Sequence, residues 1–180
     1  MTGPLPAIRP LHAAEARARA PELAAILVDC VEGGASVGFM APLTRERAEA
    51  FWRGVAEGVA RGERILLAAE DGEGLLGTAQ LVLATPENQP HRADVAKMLV
   101  HRRARRRGVG AALLAALDDA ARAAGRTVLV LDSVTGSDAE RMYERHGWTR
   151  VGEVPHFALF PDGRPCGTTF FCRALEEPAR

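Results

Sequence analysis

Two spacings of apolar residues alternate along the chain and predict a mixed set of strands and helices. Short runs that are apolar at every second position or throughout are typical of strands, and apolar residues that recur at three and four positions indicate helices. The strand pattern occurs at residues 7–11, 65–70, 75–84, 92–100, 127–131, 148–154 and 168–174. The helical pattern occurs at residues 13–31, 44–61, 109–124 and 138–146. About seven strands and about four helices are therefore expected.

The order of these elements limits how the strands can pair. Short turns join most neighbouring strands and favour antiparallel hairpins. Only the connection between residues 93–100 and 127–131 is a strand–helix–strand crossover, which makes its two strands parallel neighbours. The continuous apolar run at 127–131 is typical of a strand that is buried on both faces. We expect a single α+β domain over residues 1–180, with its core at about 7–174 and a mostly antiparallel central sheet.

Composition limits the class of protein but does not indicate a reaction. With 47% hydrophobic and 26% charged residues, the 180-residue chain has the composition of an ordinary soluble globular protein. No apolar run reaches the length of a membrane span, and Met1–Pro6 has neither the charged nor the apolar region of a secretory leader. We therefore expect a cytoplasmic protein. The odd number of widely spaced cysteines (Cys30, Cys166, Cys172) predicts reduced thiols rather than a disulfide framework.

The segment from Asp94 to Gly110 carries the strongest chemical signal. A strand-like run ends near Val100, a turn rich in arginine and glycine follows, and residues 111–117 are strong helix formers. The first N–H groups of a helix lack intrahelical partners and the helix dipole adds partial positive charge, so this order favours an anion site. The Walker pattern is absent, and Leu113 stands where the dinucleotide fingerprint needs its third glycine.

The arginines of this turn allow more than one interpretation. Five of the seven residues 101–107 are arginine, a density also found on solvated faces and in nucleic-acid patches. The net charge of zero and the lack of a second basic stripe with interleaved aromatic residues count against nucleic acid. A ligand that carries several phosphates suits clustered arginines better. His101, His146 and His156 lack a metal-binding spacing, so no metal is expected.

The turn Arg105-Arg106-Arg107-Gly108-Val109-Gly110 resembles the acyl-CoA pyrophosphate loop of the GNAT acetyltransferase superfamily. A second stretch, with Ala139, Tyr143, Gly147 and Trp148, looks like the later A-x-x-x-Y-x-x-x-G-F/W segment of that family. The resemblance implies a GNAT fold in which the two parallel strands splay apart and the pantetheine of acetyl-CoA lies between them. The co-substrate residues that it implies are Leu99, Val100, Arg105, Arg106, Arg107, Gly108, Val109, Gly110 and Ala111.

Acetyl transfer to an amine makes three physical demands. The amine must lose a proton to a base, because an alkyl ammonium has a pKa near 10. The leaving thiolate must be protonated or stabilised, and both substrates must be held together. The resemblance implies Tyr143 as the general acid, although a tyrosine on a short helix is also an ordinary core residue. Asp132 and Asp94 are candidates for the base or for a cation-binding carboxylate; both could equally be solvated strand ends.

Within the superfamily, the chain most resembles the tabtoxin-resistance acetyltransferase group. The supporting stretches are 34–39, 91–95, 131–132 with 136–137, and 161–164, and the likeness implies catalytic or substrate-binding roles for Asp94, Asp132 and Tyr143. The glycine-rich loop 32–43 either touches substrate, through Ser36 and Phe39, or only packs. The expected activity is acetyl transfer from acetyl-CoA to a small amine, such as an antibiotic or amino-acid toxin. The alternative functions are those of a protein acetyltransferase and of a non-catalytic acetyl-CoA sensor. The expected assembly, if the chain associates, is a homodimer.

Overall fold

The computed structural model describes residues 6–175, and Met1–Leu5 of the segment assessed for a leader lie outside the described residues. Its strands are β1 Ala7–Pro10, β2 Arg64–Asp71, β3 Gly74–Leu83, β4 Arg92–Val100, β5 Val128–Val134, β6 Thr149–Leu159 and β7 Pro165–Ala174. Its α-helices are α1 Ala13–Ala18, α2 Ala20–Glu32, α3 Arg45–Ala60, α4 Val109–Ala123 and α5 Asp138–Arg145. A single 3₁₀ turn, Arg102–Ala104, follows β4.

All seven strands form one sheet in the order β1-β2-β3-β4-β5-β7-β6. Only β4 and β5 are parallel, and every other neighbouring pair is antiparallel. The α+β prediction with one parallel pair is therefore confirmed. Its physical basis is the crossover: α4 lies between β4 and β5 in the chain and returns the backbone to the same edge of the sheet.

Two apolar cores lie on the two sides of this sheet. One contains α4 residues such as Leu113 and Leu117 together with Phe171 of β7, all fully buried. The other joins α1, α2 and α3 to β2, and its largest side chain is the fully buried Trp52. Helices thus cover both faces of the sheet. The sheet itself can open at the ends of β4 and β5, where these two strands no longer pair.

One expected helix is two helices. Residues 13–31 were expected to be continuous, but the helix breaks at Arg19, which caps both α1 and α2. Pro21 supplies the reason: a proline has no N–H to donate, and its ring clashes with the carbonyl of the residue four before it. Proline is well tolerated in a first turn, so α2 starts just before Pro21. This break raises the helix count from about four to five.

Two predicted strands end later than the apolar pattern indicates. β5 was expected to end at residue 131, yet it continues to Val134 and contains Asp132. The continuation is paired on one side, where Asp132 faces Phe170 and Val134 faces Thr168 of β7. β6 likewise extends to Leu159 along β7 although most of its residues are exposed. In both cases backbone pairing with β7 sustains a strand whose side chains are not buried.

Candidate active site

The parallel strands separate soon after they begin. Strand pairing between them covers only Arg92–Asp94 against Val128–Val130. Beyond that point β4 stays paired to β3 as far as Val100, and β5 stays paired to β7 as far as Val134. The two strands therefore diverge, and among residues 6–175 no strand pairs with the facing edges at residues 95–100 and 131–134. A wedge-shaped cleft with backbone groups along its walls is the result.

A β-bulge in β4 shapes one wall of this cleft. Thr78 pairs with Leu99 and Gln80 pairs with Ala96, so two residues of β4 oppose the single residue Ala79 of β3. Lys97, one of those two residues, has a φ of 48°, which is uncommon for a residue other than glycine. Bulges often re-aim side chains beside active sites. Lys97 was not among the predicted site residues. It is the only lysine in the chain, and this was the one feature of the sequence that could have pointed to it.

The narrow turn after β4 ends in the N-terminus of α4. Gly108 is the N-cap with a φ of 78°, and the cap has no side chain to accept a hydrogen bond from the first helical turn. Arg106 also has a positive φ, 60°. A Cβ at Gly110 would lie 2.9 Å from the Met142 sulfur, so glycine permits the close approach of α5. The first-turn N–H groups of α4 are thus available to an anion, and this is the turn at which the sequence predicts a phosphate site.

The structure divides the arginine cluster into two groups. Arg102 donates from its backbone N–H and its Nε to the Asp29 carboxylate, each at 2.8 Å. Arg103 contacts Glu73 at 3.2 Å and also donates to the Leu75 carbonyl. These two arginines hold the turn to the body of the protein.

The second group, Arg105, Arg106 and Arg107, is more open. Within residues 6–175 neither Arg105 nor Arg106 has a carboxylate within 4.0 Å, and Arg107 reaches Asp71 only at 3.9 Å. Arg105 donates from Nε to the Val100 carbonyl at 3.4 Å. Val100 and the buried Leu99 thus lie beside the cluster at the end of β4. The three arginines form the positively charged end of the cleft.

Asp132 and Asp94 lie on the two diverging strands. The Asp132 carboxylate is exposed within the cleft, yet partial desolvation by the cleft walls raises its pKa, as does Asp94, while Lys97 lowers it. Asp94 forms an ion pair with Arg92 at 2.6 Å. Asp132 has no cation within 4.0 Å in the described part of the chain, so its carboxylate is the freer of the two.

Tyr143 enters the site from α5. Its side chain is only 5% exposed and its ring packs against Trp148 and Phe171, with centroids 5.9 and 5.8 Å away. Burial raises the pKa of the phenol above its ordinary value, and the charge of Asp132 raises it further. The phenol therefore keeps its proton at neutral pH. The aromatic packing fixes the position of the ring.

The loop at 33–43 crosses to the tip of the β6–β7 hairpin. Ser36 Oγ donates to the Leu159 carbonyl at 2.7 Å, and the Ala41 N–H donates to the Pro161 carbonyl at 3.1 Å. Phe39 packs edge-on against Phe51 of α3, with ring centroids 5.2 Å apart. The loop thus spans from the helical layer to the far strands, and its Gly38 comes next to Lys97.

Among residues 6–175 there is no cluster of metal-ligand residues, no disulfide and no helix able to span a membrane. Among residues 6–175 no group of three or more His, Cys, Asp and Glu side chains is placed to hold a metal ion. The three cysteines, all within that range, are unpaired. None of the helices in the described residues has both the length and the apolar character that crossing a bilayer requires.

Similarity to known proteins agrees with this geometry. Residues 61–150, half of the chain, match the model of the acetyltransferase (GNAT) domain. A protein of Azospirillum brasilense, named as an uncharacterized N-acetyltransferase in the hisH-hisA intergenic region, is 37% identical over 106 residues. That match covers 58% of this chain and 61% of the relative, so the chain spans less than two thirds of that protein.

Two solved structures share the fold over nearly the whole chain. One is yncA of Salmonella typhimurium, whose structure contains its cofactor acetyl-CoA, with a TM-score of 0.78, 21% identity and coverage of 97% of this chain and 96% of that one. The other is the ribosomal-protein-alanine N-acetyltransferase of Brucella melitensis, with a TM-score of 0.77, 25% identity and coverage of 94% of this chain and 99% of that one. With the splayed strands and the arginine–glycine turn, the domain match shows that this chain belongs to the GNAT family of acetyltransferases.

Proposed function

We propose that the protein is an N-acetyltransferase that moves the acetyl group of acetyl-CoA to a primary amine of a small molecule. The observation that carries this proposal is the cleft between β4 and β5. One end of it holds the N-terminus of α4 with Arg105, Arg106 and Arg107, and Asp132 lies on β5 beyond the point where the strands part. The buried Tyr143 is near enough for the charge of Asp132 to raise its pKa. Membership of the GNAT family makes acetyl-CoA the co-substrate that we assign to the cleft.

The proposed reaction is direct attack in a ternary complex. The amine nitrogen bonds to the acetyl carbonyl carbon, the carbon–sulfur bond breaks, and the amine proton passes to a base. Asp132 is the base that we favour, because it is free of ion pairs within 4.0 Å in residues 6–175 and its pKa is raised. A carboxylate with a raised pKa accepts a proton from an ammonium more readily than an ordinary one. Asp94, held by Arg92, serves as a second carboxylate for the cationic acceptor.

The leaving thiolate requires a proton in the same step. Tyr143 is our candidate for the general acid because its buried phenol stays protonated at neutral pH. The proton lost by the phenol goes to the coenzyme sulfur, and exchange with solvent restores it. The open arginines Arg105, Arg106 and Arg107 would bind the phosphates of the co-substrate together with the backbone N–H groups of Val109, Gly110 and Ala111.

The loop at 33–43 supports a small acceptor. Its hydrogen bonds tie it to the tip of the β6–β7 hairpin, and its Gly38 lies beside Lys97. A loop held in this position favours an acceptor smaller than a folded protein. Ser36 and Phe39 of this loop are proposed to line the acceptor site. An antibiotic or amino-acid toxin would fit, as the likeness to the tabtoxin-resistance group suggests. A peptide N-terminus is the second candidate, favoured by the 25% identity to the Brucella melitensis ribosomal-protein-alanine N-acetyltransferase.

The test is thiol release from acetyl-CoA over a panel of acceptors. The panel contains free amino acids and their toxic analogues, aminoglycoside and streptothricin-type antibiotics, polyamines, and peptides with N-terminal alanine. We expect turnover with one small-molecule class and a fall of about 10²-fold or more in kcat for Tyr143→Phe, with acetyl-CoA affinity unchanged. Val151→Ala, at an exposed position of β6, is the control and should keep the wild-type rate.

Two results would contradict the proposal. Turnover confined to peptides would assign the protein acetyltransferase role instead. Tight binding of acetyl-CoA without thiol release from any acceptor would indicate the non-catalytic sensor.

A further inference from the structure

Lys97 is a cation that the proposed acetyl transfer leaves without a role. It lies in the β4 bulge at the acceptor side of the cleft, and its φ of 48° is a conformation that costs free energy in a residue other than glycine. Strain of this kind persists where the surrounding structure imposes it, often at ligand sites. The bulge directs the side chain away from β3, toward α3 and the loop at 33–43.

The Lys97 ammonium lies over an aromatic ring in largely apolar surroundings. Nζ lies 5.6 Å from the centroid of the Phe51 ring, which itself packs against Phe39 and Trp52. It is also 3.6 Å from the position that a Cβ would take at Gly38. Within residues 6–175 the ammonium donates no hydrogen bond and forms no ion pair within 4.0 Å. Three N–H donors in a half-buried apolar pocket favour an acceptor from outside the chain.

Charge in the cleft is arranged as two opposite poles. Burial lowers the pKa of Lys97, and Asp132 opposes that shift although it lies beyond ion-pair distance. Arg64 adds a further positive influence on the same side as Lys97. The cleft therefore presents a cation near Phe51 and a carboxylate on β5, separated by a gap. A ligand that carries both an ammonium and an anionic group would satisfy both poles at once.

We infer that the Lys97 ammonium binds the carboxylate of the acceptor, so that the substrates of this enzyme are amino acids or amino-acid analogues rather than simple amines. In this arrangement the acceptor carboxylate accepts hydrogen bonds from Nζ on the side away from the Phe51 ring, and the acceptor amine lies toward Asp132. This inference rests on the proposed acetyl transfer and adds the chemical class of the acceptor. Lys97 acts on specificity and makes no bond to the reacting atoms.

The test compares amino acids with their own carboxamides. For the wild type, kcat/KM for an amino acid should exceed that for the matched amide by about 10- to 100-fold, the value of one charge-assisted hydrogen bond in a desolvated site. Lys97→Met should bring that ratio close to one, mainly by raising KM for the acid, and Lys97→Arg should restore part of it. Arg122→Gln, an exposed cation on α4, is the matched control and should leave the ratio unchanged.

Thermal stabilisation by ligand provides a second readout that does not need turnover. Amino acids, but not their amides, should raise the Tm of the wild type, and Lys97→Met should abolish the difference while circular dichroism shows a folded protein. An equal or better rate with amides in the wild type would overturn the role of Lys97 and leave acetyl transfer intact. Absence of thiol release with every acceptor would instead contradict the proposed function. If amino acids then also fail to shift Tm, the inference falls with it.

Discussion

Asp94 and Val130 are the last two residues that pair across the parallel strands β4 and β5. From this point onward each strand keeps its other neighbour, so the sheet divides without losing its outer hydrogen bonds. The division provides a cleft whose two walls come from segments about 35 residues apart in the chain. Every residue to which we assign a chemical role lies on this cleft, on the helices that open toward it, or on the loop that crosses it.

Asn substitutions of the two cleft acids should separate their roles. If Asp132 is the base, Asp132→Asn lowers kcat by about 10²- to 10⁴-fold, and the rise of kcat with pH that we expect for the wild type disappears. That rise should lie above the ordinary aspartate range near pH 4, because the pKa of Asp132 is raised. Asp94→Asn should mainly raise KM for the acceptor. Measurement of kcat under saturating acceptor from pH 5 to 9 compares the two, and wild-type rates in both variants would exclude a carboxylate base.

The same shift has a consequence for stability. A carboxyl group whose pKa is higher in the folded state binds its proton more tightly there than in the unfolded chain. The contribution of Asp132 to the free energy of unfolding therefore falls as pH rises from about 4 through its folded pKa. Asp132→Asn should be as stable as the wild type or more stable at pH 7, and urea unfolding at pH 4 and pH 7 measures the difference. A clear loss of stability at pH 7 would show that the charged form is favoured by the fold.

Gly108 should be required at the N-terminus of α4. Its φ of 78° lies in the left-handed region, where a side chain costs about 1–2 kcal/mol. Gly108→Ala should lower the free energy of unfolding by about that amount and weaken acetyl-CoA binding, because the cap that presents the first N–H groups must move. Gly54→Ala is the matched control: Gly54 lies within α3 with nothing within 4 Å of a new Cβ. It should stabilise the protein by about 0.5–1 kcal/mol and leave the KM for acetyl-CoA unchanged.

Two neighbouring arginines should respond differently to neutralisation. Arg106 has no carboxylate within 4.0 Å in the described residues, so Arg106→Gln should raise the KM for acetyl-CoA by about 10-fold with little change in kcat. The effect should shrink at high salt, since it depends on charge. Arg103 is held by Glu73 and the Leu75 carbonyl, and Arg103→Gln should change that KM by less than about 2-fold. Equal increases of the KM for acetyl-CoA in both variants would mean that the arginines act through their summed charge and not through a specific phosphate site.

Asp29 should anchor the turn that carries these arginines. Burial alone would raise its pKa, but hydrogen bonds from the backbone N–H and guanidinium of Arg102 lower it overall. A lowered pKa means that the stabilisation is present above about pH 4 and is lost as pH falls through the folded value. Asp29→Asn should reduce the free energy of unfolding by about 1–3 kcal/mol at pH 7, and the difference from wild type should shrink in acid.

The exposed Asp119, which contacts Arg122 at 3.3 Å, provides the matched control for this charge removal. Asp119→Asn should change the free energy of unfolding by less than about 0.5 kcal/mol, since exposed ion pairs contribute little. Urea unfolding of both variants makes the comparison. Equal stabilities for Asp29→Asn and the wild type at pH 7 would show that the Arg102 hydrogen bonds do not hold the turn.

The sequence by itself determined most of the elements, the parallel pair and the arginine–glycine turn before α4. These follow from local rules: apolar spacing, the length of a crossover, and glycine before a helix N-terminus act within a few residues of one another. The start of α3 is an example, since the Thr44 side chain accepts a hydrogen bond from the Arg47 N–H at the N-cap. The misjudged bounds, which are the break at Arg19 and the late ends of β5 and β6, came from a proline and from pairing with the distant strand β7.

Only the tertiary structure decided which side chains meet. The sequence contains Lys97 within an ordinary strand pattern, and nothing local indicates the bulge, because a bulge depends on the register against β3. The same holds for the division of the arginine cluster, where Asp29 and Glu73 come from other parts of the chain. It holds also for the loop that Ser36 ties to Leu159. Contacts between segments far apart in the chain depend on packing and charge in three dimensions, which local spacing does not encode.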